Sequence, residues 1–144
     1  IAFLIGSGEK SYKKILKAEV SKRRLTKHIV FIEQTINIED YYLITDVGIS
    51  SSKQEGFSNS ILEFLNFKKP VIATNVGGNV DIINSQNGIL IEDNNHDQLF
   101  AAMRKLITNK KEIVRLGRGA KKEIEKYSFA KMLRKYEQTY DEIC

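Results

Sequence analysis

Short apolar runs alternate with amphipathic stretches of helical period along the whole chain, and this alternation narrows the fold more than any other feature. Strands alternating with helices imply a parallel sheet covered on both faces. Residues 1–5 read as a buried strand stopped by Gly6-Ser7-Gly8, and Tyr12, Ile15, Leu16 and Val20 recur at helical spacing, predicting a helix over 9–24. Strands follow at 29–32, 47–51, 71–74 and 88–91, the last launched by an Asn87-Gly88 turn. Helices are predicted over 39–45, 59–67, 97–109, 111–126 and 129–142, with Asn95 and Ser128 as N-caps. The expected class is α/β, a Rossmann-like doubly wound parallel sheet in a single domain over residues 1–144.

Composition supports an ordinary globular domain. The 144 residues are 42% hydrophobic and 28% charged with one proline, which excludes a disordered chain. No apolar run approaches the roughly twenty residues that span a bilayer. The chain opens without Met or a basic leader, so it is expected to be a piece of a longer protein without a signal peptide. A lone cysteine, Cys144, fits a reducing compartment. The net charge of +5 is uneven: residues 10–27 carry eight Lys/Arg against Glu19, whereas 28–63 carry six acids against Lys53. The basic stretches, Lys13, Lys14, Lys17, Lys22, Arg23 and Arg24 among them, read first as solvated helix faces and second as contacts for anionic lipid.

In an open parallel sheet, ligands sit beyond the carboxyl ends of the strands where strand order reverses, which singles out the loops at 6–9 and 51–58. The second is the more informative. Ser51-Ser52-Lys53-Gln54-Glu55-Gly56-Phe57-Ser58-Asn59-Ser60-Ile61-Leu62-Glu63 runs from a strand end through a glycine-containing loop into a helix N-terminus. Free N–H groups and the helix dipole suit such a turn to phosphate. Glu55 and Glu63 would stand about 12 Å apart at most, a carboxylate for hydroxyl groups at each end with N–H donors between. The same residues admit a plainer account. Ser60-x-x-Glu63 is a capping box and Glu55 a solvated acid, although a helix apolar nearly all round, through Ile61, Leu62, Phe64, Leu65 and Phe67, would require a partner for its Glu.

Residues 55–63 resemble the E-x7-E motif of retaining glycosyltransferases of the GT-B fold, family 4 (glycosyl transferases group 1), in its "EGFSN…LE" form. The similarity runs through nearly the whole chain. Residues 1–9 resemble that family's strand and G-x-G turn, Ile29-Val30-Phe31 its V-x-F strand, and residues 41–52 its "YY-x-x-x-D-V-x-x-S-S". Residues 69–78 resemble "KPVIATNVGG" and 87–91 "NGLLV", while Tyr127-Ser128-Phe129 with Tyr136 and Tyr140 resembles the final helix.

The resemblance implies the donor-binding, C-terminal half of a two-domain enzyme that transfers a sugar from a nucleotide diphosphate with retention of configuration. It assigns Glu55 to the hydroxyls of the transferred sugar, nearest the reacting carbon, and Glu63 to the ribose diol. N–H groups of Gly56, Phe57 and Ser58 would line sugar and diphosphate. Those of Ser60 and Ile61 would face the phosphates, Asn59 would join the same lining, and Gln34 and Thr35 would border the base. In such enzymes fixed dipoles and basic side chains stabilise the departing diphosphate in place of a metal, so the resemblance implies no metal or other cofactor, and no DxD motif contradicts it. The setting implied is a bacterial cytoplasm, with a peripheral place at the inner membrane face as a further expectation, a glycan or lipid-linked acceptor held by an absent N-terminal domain, and no nucleic acid partner. The family's "GR" turn and clamping Lys are missing, so this chain alone is expected to be inactive. Glu33 stands where Gly is usual, Phe64-Leu65-Asn66-Phe67-Lys68 where "AMACG" is typical, and Asp81 where Glu is usual. A family strand expected between those at 1–5 and 47–51 is also missing; closing that gap would give the strand order 2-1-3-4-5.

Other readings compete. One is a non-catalytic flavodoxin-like binding module; another is a phosphorylase-like or epimerase-like sugar-nucleotide enzyme. Gly6-Ser7-Gly8 lacks the third glycine of a dinucleotide fingerprint, and His28 and His96 are too far apart in sequence to suggest a metal pair. Gly77-Gly78 reads as a loop of unusual backbone angles, and Tyr127, Phe129, Tyr136 and Tyr140 as packing residues.

Overall fold

The computed structural model describes residues 1–143; Cys144 lies outside them. Its elements run β1 (Ala2–Ile5), α1 (Lys10–Lys22), β2 (Ile29–Ile32), α2 (Ile38–Ile44), β3 (Gly48–Ser50), α3 (Asn59–Asn66), β4 (Val71–Thr74), α4 (Asn79–Ile82), β5 (Gly88–Ile91), α5 (His96–Thr108), α6 (Lys110–Ile124), a 3₁₀ turn (Glu125–Tyr127) and α7 (Phe129–Ile143). Every predicted element is present to within a residue or two, and the single turn α4 is an addition. Contacts gather the chain into two compact units, Ile1–Asp40 and the remainder from Tyr41.

In the first unit β1 and β2 pair in parallel, Ala2 opposite Ile29 through Ile5 opposite Ile32. None of its residues is fully buried. The expectation of a buried first strand is therefore corrected: Leu4 and Ile5 are exposed, because among the described residues β2 is the one strand beside β1. Glu33 pairs with Lys13 of α1, and that ammonium, with Lys17 and Lys10 nearby, holds the Glu33 carboxyl below its ordinary range. The basic helix is thus partly neutralised from within its own unit.

In the second unit β4 is central, Val71 pairing with both Gly48 and Gly88 in a parallel sheet of order β3-β4-β5. All four β4 residues are buried, the pattern of a strand covered on both faces. Val71 and Ala73 join Ile61 and Leu65 of α3, Ile82 and Ala120 in one core; Ile72 joins Ile91, Ala102, Leu106 and Leu116 in the other. Each fully buried Leu or Ile contributes about 1.5–3 kcal/mol. The order 2-1-3-4-5 is not formed: β1 and β3 do not hydrogen-bond, and each keeps an unpaired edge among the described residues. Those are the edges to which the resemblance assigns an intervening strand.

Local chemistry explains the helix ends. Asn95 Oδ1 accepts from the Gln98 N–H at 2.9 Å, capping α5 as predicted, and Asn109 Oδ1 caps α6 at 3.1 Å through the Glu112 N–H. Ser128 is extended just before α7, and its carbonyl accepts from the Met132 N–H. α3 ends without glycine, yet it forms a Schellman turn. Lys68 takes a left-handed φ of 58°, its N–H donates to Leu65 O, and the Lys69 N–H donates to Phe64 O. Phe129, Tyr136 and Tyr140, expected to pack, are exposed together with Met132 and Leu133.

Candidate functional site

The segment between β3 and α3 is held from below by the chain that leaves β4. Thr74 Oγ1 donates to Ser52 O at 2.5 Å, and the Gly78 N–H donates to Glu55 O at 3.0 Å. Asn79, fully buried, donates through Nδ2 to Thr74 O at 3.0 Å and so ties that second loop to the strand end. The two loops touch backbone to backbone. A Cβ on Gly77 (φ +45°) would lie 1.8 Å from Glu55 O, and one on Gly78 would lie 2.0 Å from Gly56 O. The glycine pair is therefore a buttress for residues 55–56. Its signal was present in the sequence as a doublet following a buried strand, but its partner loop was not.

Gly56, Phe57, Ser58, Asn59, Ser60 and Ile61 lead from this buttress into the first turn of α3. Ser58 is buried, its hydroxyl 3.1 Å from that of Ser60. Phe57, half-exposed, leans on Tyr127 with ring centroids 5.5 Å apart, and the Tyr127 hydroxyl donates to Asp81 O at 2.9 Å. The first helical hydrogen bond goes from the Leu62 N–H to Ser58 O. The N–H groups of Asn59, Ser60 and Ile61 therefore have no acceptor within the helix, and the dipole adds partial positive charge there. Ile61 buries its side chain in the core, so only its N–H can serve a ligand.

Glu55 is half-buried in the loop, and Glu63 is an exposed residue one turn further along α3. The capping box is not formed: the N-cap is Ser58, which makes no side-chain cap bond. Glu63 instead accepts through Oε2 from the Tyr42 hydroxyl at 2.5 Å. The expectation of a helix buried nearly all round is also corrected, because only Ile61 and Leu65 are buried; Glu63 finds a partner although it is not enclosed. Tyr42 is itself only 6% exposed. Burial and then the Glu63 carboxylate push its phenol well above the ordinary range, so the hydroxyl remains a donor. Nothing local pointed to Tyr42, which lies 21 residues from Glu63. Gln34 and Thr35 belong to the first unit: Gln34 Oε1 accepts from the Ser7 hydroxyl at 3.4 Å, and Thr35 Oγ1 from the Asn37 N–H at 3.1 Å. The clefts along α6, lined by Lys68, Lys110, Arg118 and Lys121 among others, include none of the candidate donor-binding residues.

This arrangement suits a ligand with an anionic centre and hydroxyl groups on both sides. Comparison with known proteins bears on the family and the fold. The family described as glycosyl transferases group 1 matches residues 2–123. An uncharacterized glycosyltransferase of Methanocaldococcus jannaschii is 31% identical over 97% of this chain and 40% of its own length. The C-terminal domain of a glycosyl transferase group 1 family protein (LpcC) from Francisella tularensis superimposes with a TM-score of 0.77 at 29% identity, covering 83% of this chain and 64% of that one. Anabaena HepE in complex with UDP superimposes with a TM-score of 0.91 over 98% of this chain and 40% of that one; at 20% identity it shows the fold alone. That fold is the Rossmann-like C-terminal domain of GT-B glycosyltransferases. The chain spans about two-fifths of the curated relative's length.

Proposed function

This chain belongs to the glycosyl transferases group 1 family, and from that premise we propose that residues 55–63 bind a nucleotide diphosphate sugar as the donor for glycosyl transfer. The observation that carries the reading is the state of Glu63. Its carboxylate is not consumed in capping: Oε2 is anchored by Tyr42, and Oε1 has no partner among the described residues. On this reading Oε1 accepts from the ribose diol. The open N–H groups at the start of α3 face the diphosphate, and Glu55, set by the glycine buttress, receives hydroxyls of the transferred sugar.

A departing diphosphate would be stabilised by these fixed dipoles without a metal. Gln34 and Thr35 are proposed to border the base. The donor domain would occupy 1–144 of a longer enzyme, with an acceptor domain elsewhere and this portion inactive alone; the unpaired edges of β1 and β3 and the exposed stripe of α7 support that reading. Retention of configuration and surface-polysaccharide assembly in a bacterial cytoplasm rest on the motif resemblance. Among the described residues no helix is long and apolar enough to cross a membrane, and a peripheral contact through basic helices is part of the proposal.

Glu55 provides the test. Calorimetric titration with UDP-glucose and GDP-mannose, each against its free nucleotide diphosphate, should show that Glu55→Ala lowers affinity for the sugar conjugate about tenfold while leaving the free nucleotide unchanged. Equal losses on both, or none on either, would overturn the assignment of Glu55 to the sugar.

A further inference from the structure

The buried end of the Tyr42–Glu63 pair is unusually well fixed. The Tyr42 ring meets Phe64 edge-on, with centroids 4.7 Å apart at 78°, and stacks on Phe67 at 5.2 Å and 30°. Phe64 in turn lies over Gly48, where a Cβ would come within 2.6 Å of its ring. These are the large residues that stand where the family pattern has small ones. In this chain they enclose the phenol and aim its hydroxyl at one oxygen of one carboxylate.

We propose that Tyr42 is the positioning residue of the ribose subsite: by donating to Glu63 Oε2 from a rigid aromatic nest, it turns the carboxylate so that Oε1 faces the diol. The inference rests on the reading of Glu63 as the ribose acceptor. An exposed Glu on a helix samples many rotamers, and ordering it on binding weakens affinity; a side chain already held does not incur that loss. A buried phenol also needs an acceptor for its own sake. Had Tyr42 taken a backbone carbonyl, only that need would be met. Its partner is instead the acid whose Oε1 has no partner among the described residues.

The two roles separate experimentally. A structural role would affect every ligand alike, whereas a positioning role acts only on ligands that possess the diol. The measurement is calorimetric affinity of the chain for UDP, GDP and ADP, each against its 2′,3′-dideoxy counterpart, in wild type, Tyr42→Phe, Glu63→Gln and the double variant. A hydrogen bond to a charged group changes an equilibrium about tenfold. The wild type should prefer the ribonucleotide by about that factor, Tyr42→Phe should erase most of the preference, and adding Tyr42→Phe to Glu63→Gln should change it no further. A preference undiminished in Tyr42→Phe would overturn the positioning role while leaving the ribose subsite intact. No binding, or no preference in the wild type, would overturn the subsite and the inference together. Should Tyr42→Phe lose its cooperative thermal transition, Phe67→Leu keeps the hydroxyl but loosens the stack. A several-fold smaller preference in that variant supports the role, and an unchanged one refutes it.

Discussion

Replacing Gly78 by Ala tests the loop-on-loop buttress without removing any side chain proposed to touch the ligand. Gly78 has an ordinary φ of −68°, so alanine introduces no backbone strain. The added Cβ would lie 2.0 Å from Gly56 O and 3.0 Å from Gly56 C, whereas real Cβ contacts essentially never fall below 3.0 Å, so the loops must part by about 1 Å. The neighbour is backbone and cannot rotate away. Overpacking of this kind costs about 1–3 kcal/mol, and strain on the Gly78 N–H···O=C Glu55 bond adds about 1 kcal/mol, giving about 2–4 kcal/mol in all. Gly56→Ala is the control within the same loop, because its Cβ would meet nothing within 4 Å; its effect should stay within about 0.5 kcal/mol. Urea unfolding followed by circular dichroism measures both. A displacement of about 1 Å at Glu55 should also weaken sugar-nucleotide binding more than free-nucleotide binding. Gly78→Ala as stable as wild type, or Gly56→Ala equally destabilised, would refute the buttress.

Three further outcomes are expected. The Glu112 carboxylate takes a two-pronged bond from Arg115, at 2.7 and 2.9 Å, which lowers its pKa from 4.5 to about 2. A depressed folded-state pKa stabilises above the unfolded value and ceases to do so as pH falls through the folded one. The stability difference between wild type and Glu112→Gln should therefore be constant above about pH 5 and fade between there and pH 2 in acid titrations; a difference independent of pH would contradict the pairing. Lys68→Gly should stabilise by about 0.5–1 kcal/mol in urea unfolding, because lysine at φ 58° is strained; destabilisation would show that the lysine is held by contacts of greater worth. Asn109→Ala should cost about 1 kcal/mol and fray the start of α6, read as faster amide exchange at Glu112.

Much of this molecule could be read before its structure was known, where the governing physics was local. The apolar run Val71-Ile72-Ala73 after Pro70 marks a strand, and β4 is that strand, buried at every residue. Asn95 announces α5 because an N-cap acts within three residues. What escaped was pairing at a distance. The chemistry of 60–63 fits a capping box, yet Ser58 became the N-cap and Tyr42 took the carboxylate, since helix α2 brings to α3 a buried phenol that needs an acceptor. The five strands carry no local record of which edges join, so β1–β2 and β3-β4-β5 emerge as separate sheets. Gly77-Gly78 looked like a turn requirement; only Gly77 has positive φ, and Gly78 is small because another backbone lies against it.

The central claim is that Glu63 receives a ribose, and it can be tested by one titration. UDP, GDP and ADP should be titrated calorimetrically into the chain and into Glu63→Ala, with thermal unfolding confirming that both are folded. The account expects at least one nucleotide diphosphate to bind the wild type and to lose about tenfold or more in affinity with the variant. Binding that is indifferent to Glu63, or no binding of any of the three at millimolar concentration, would contradict it.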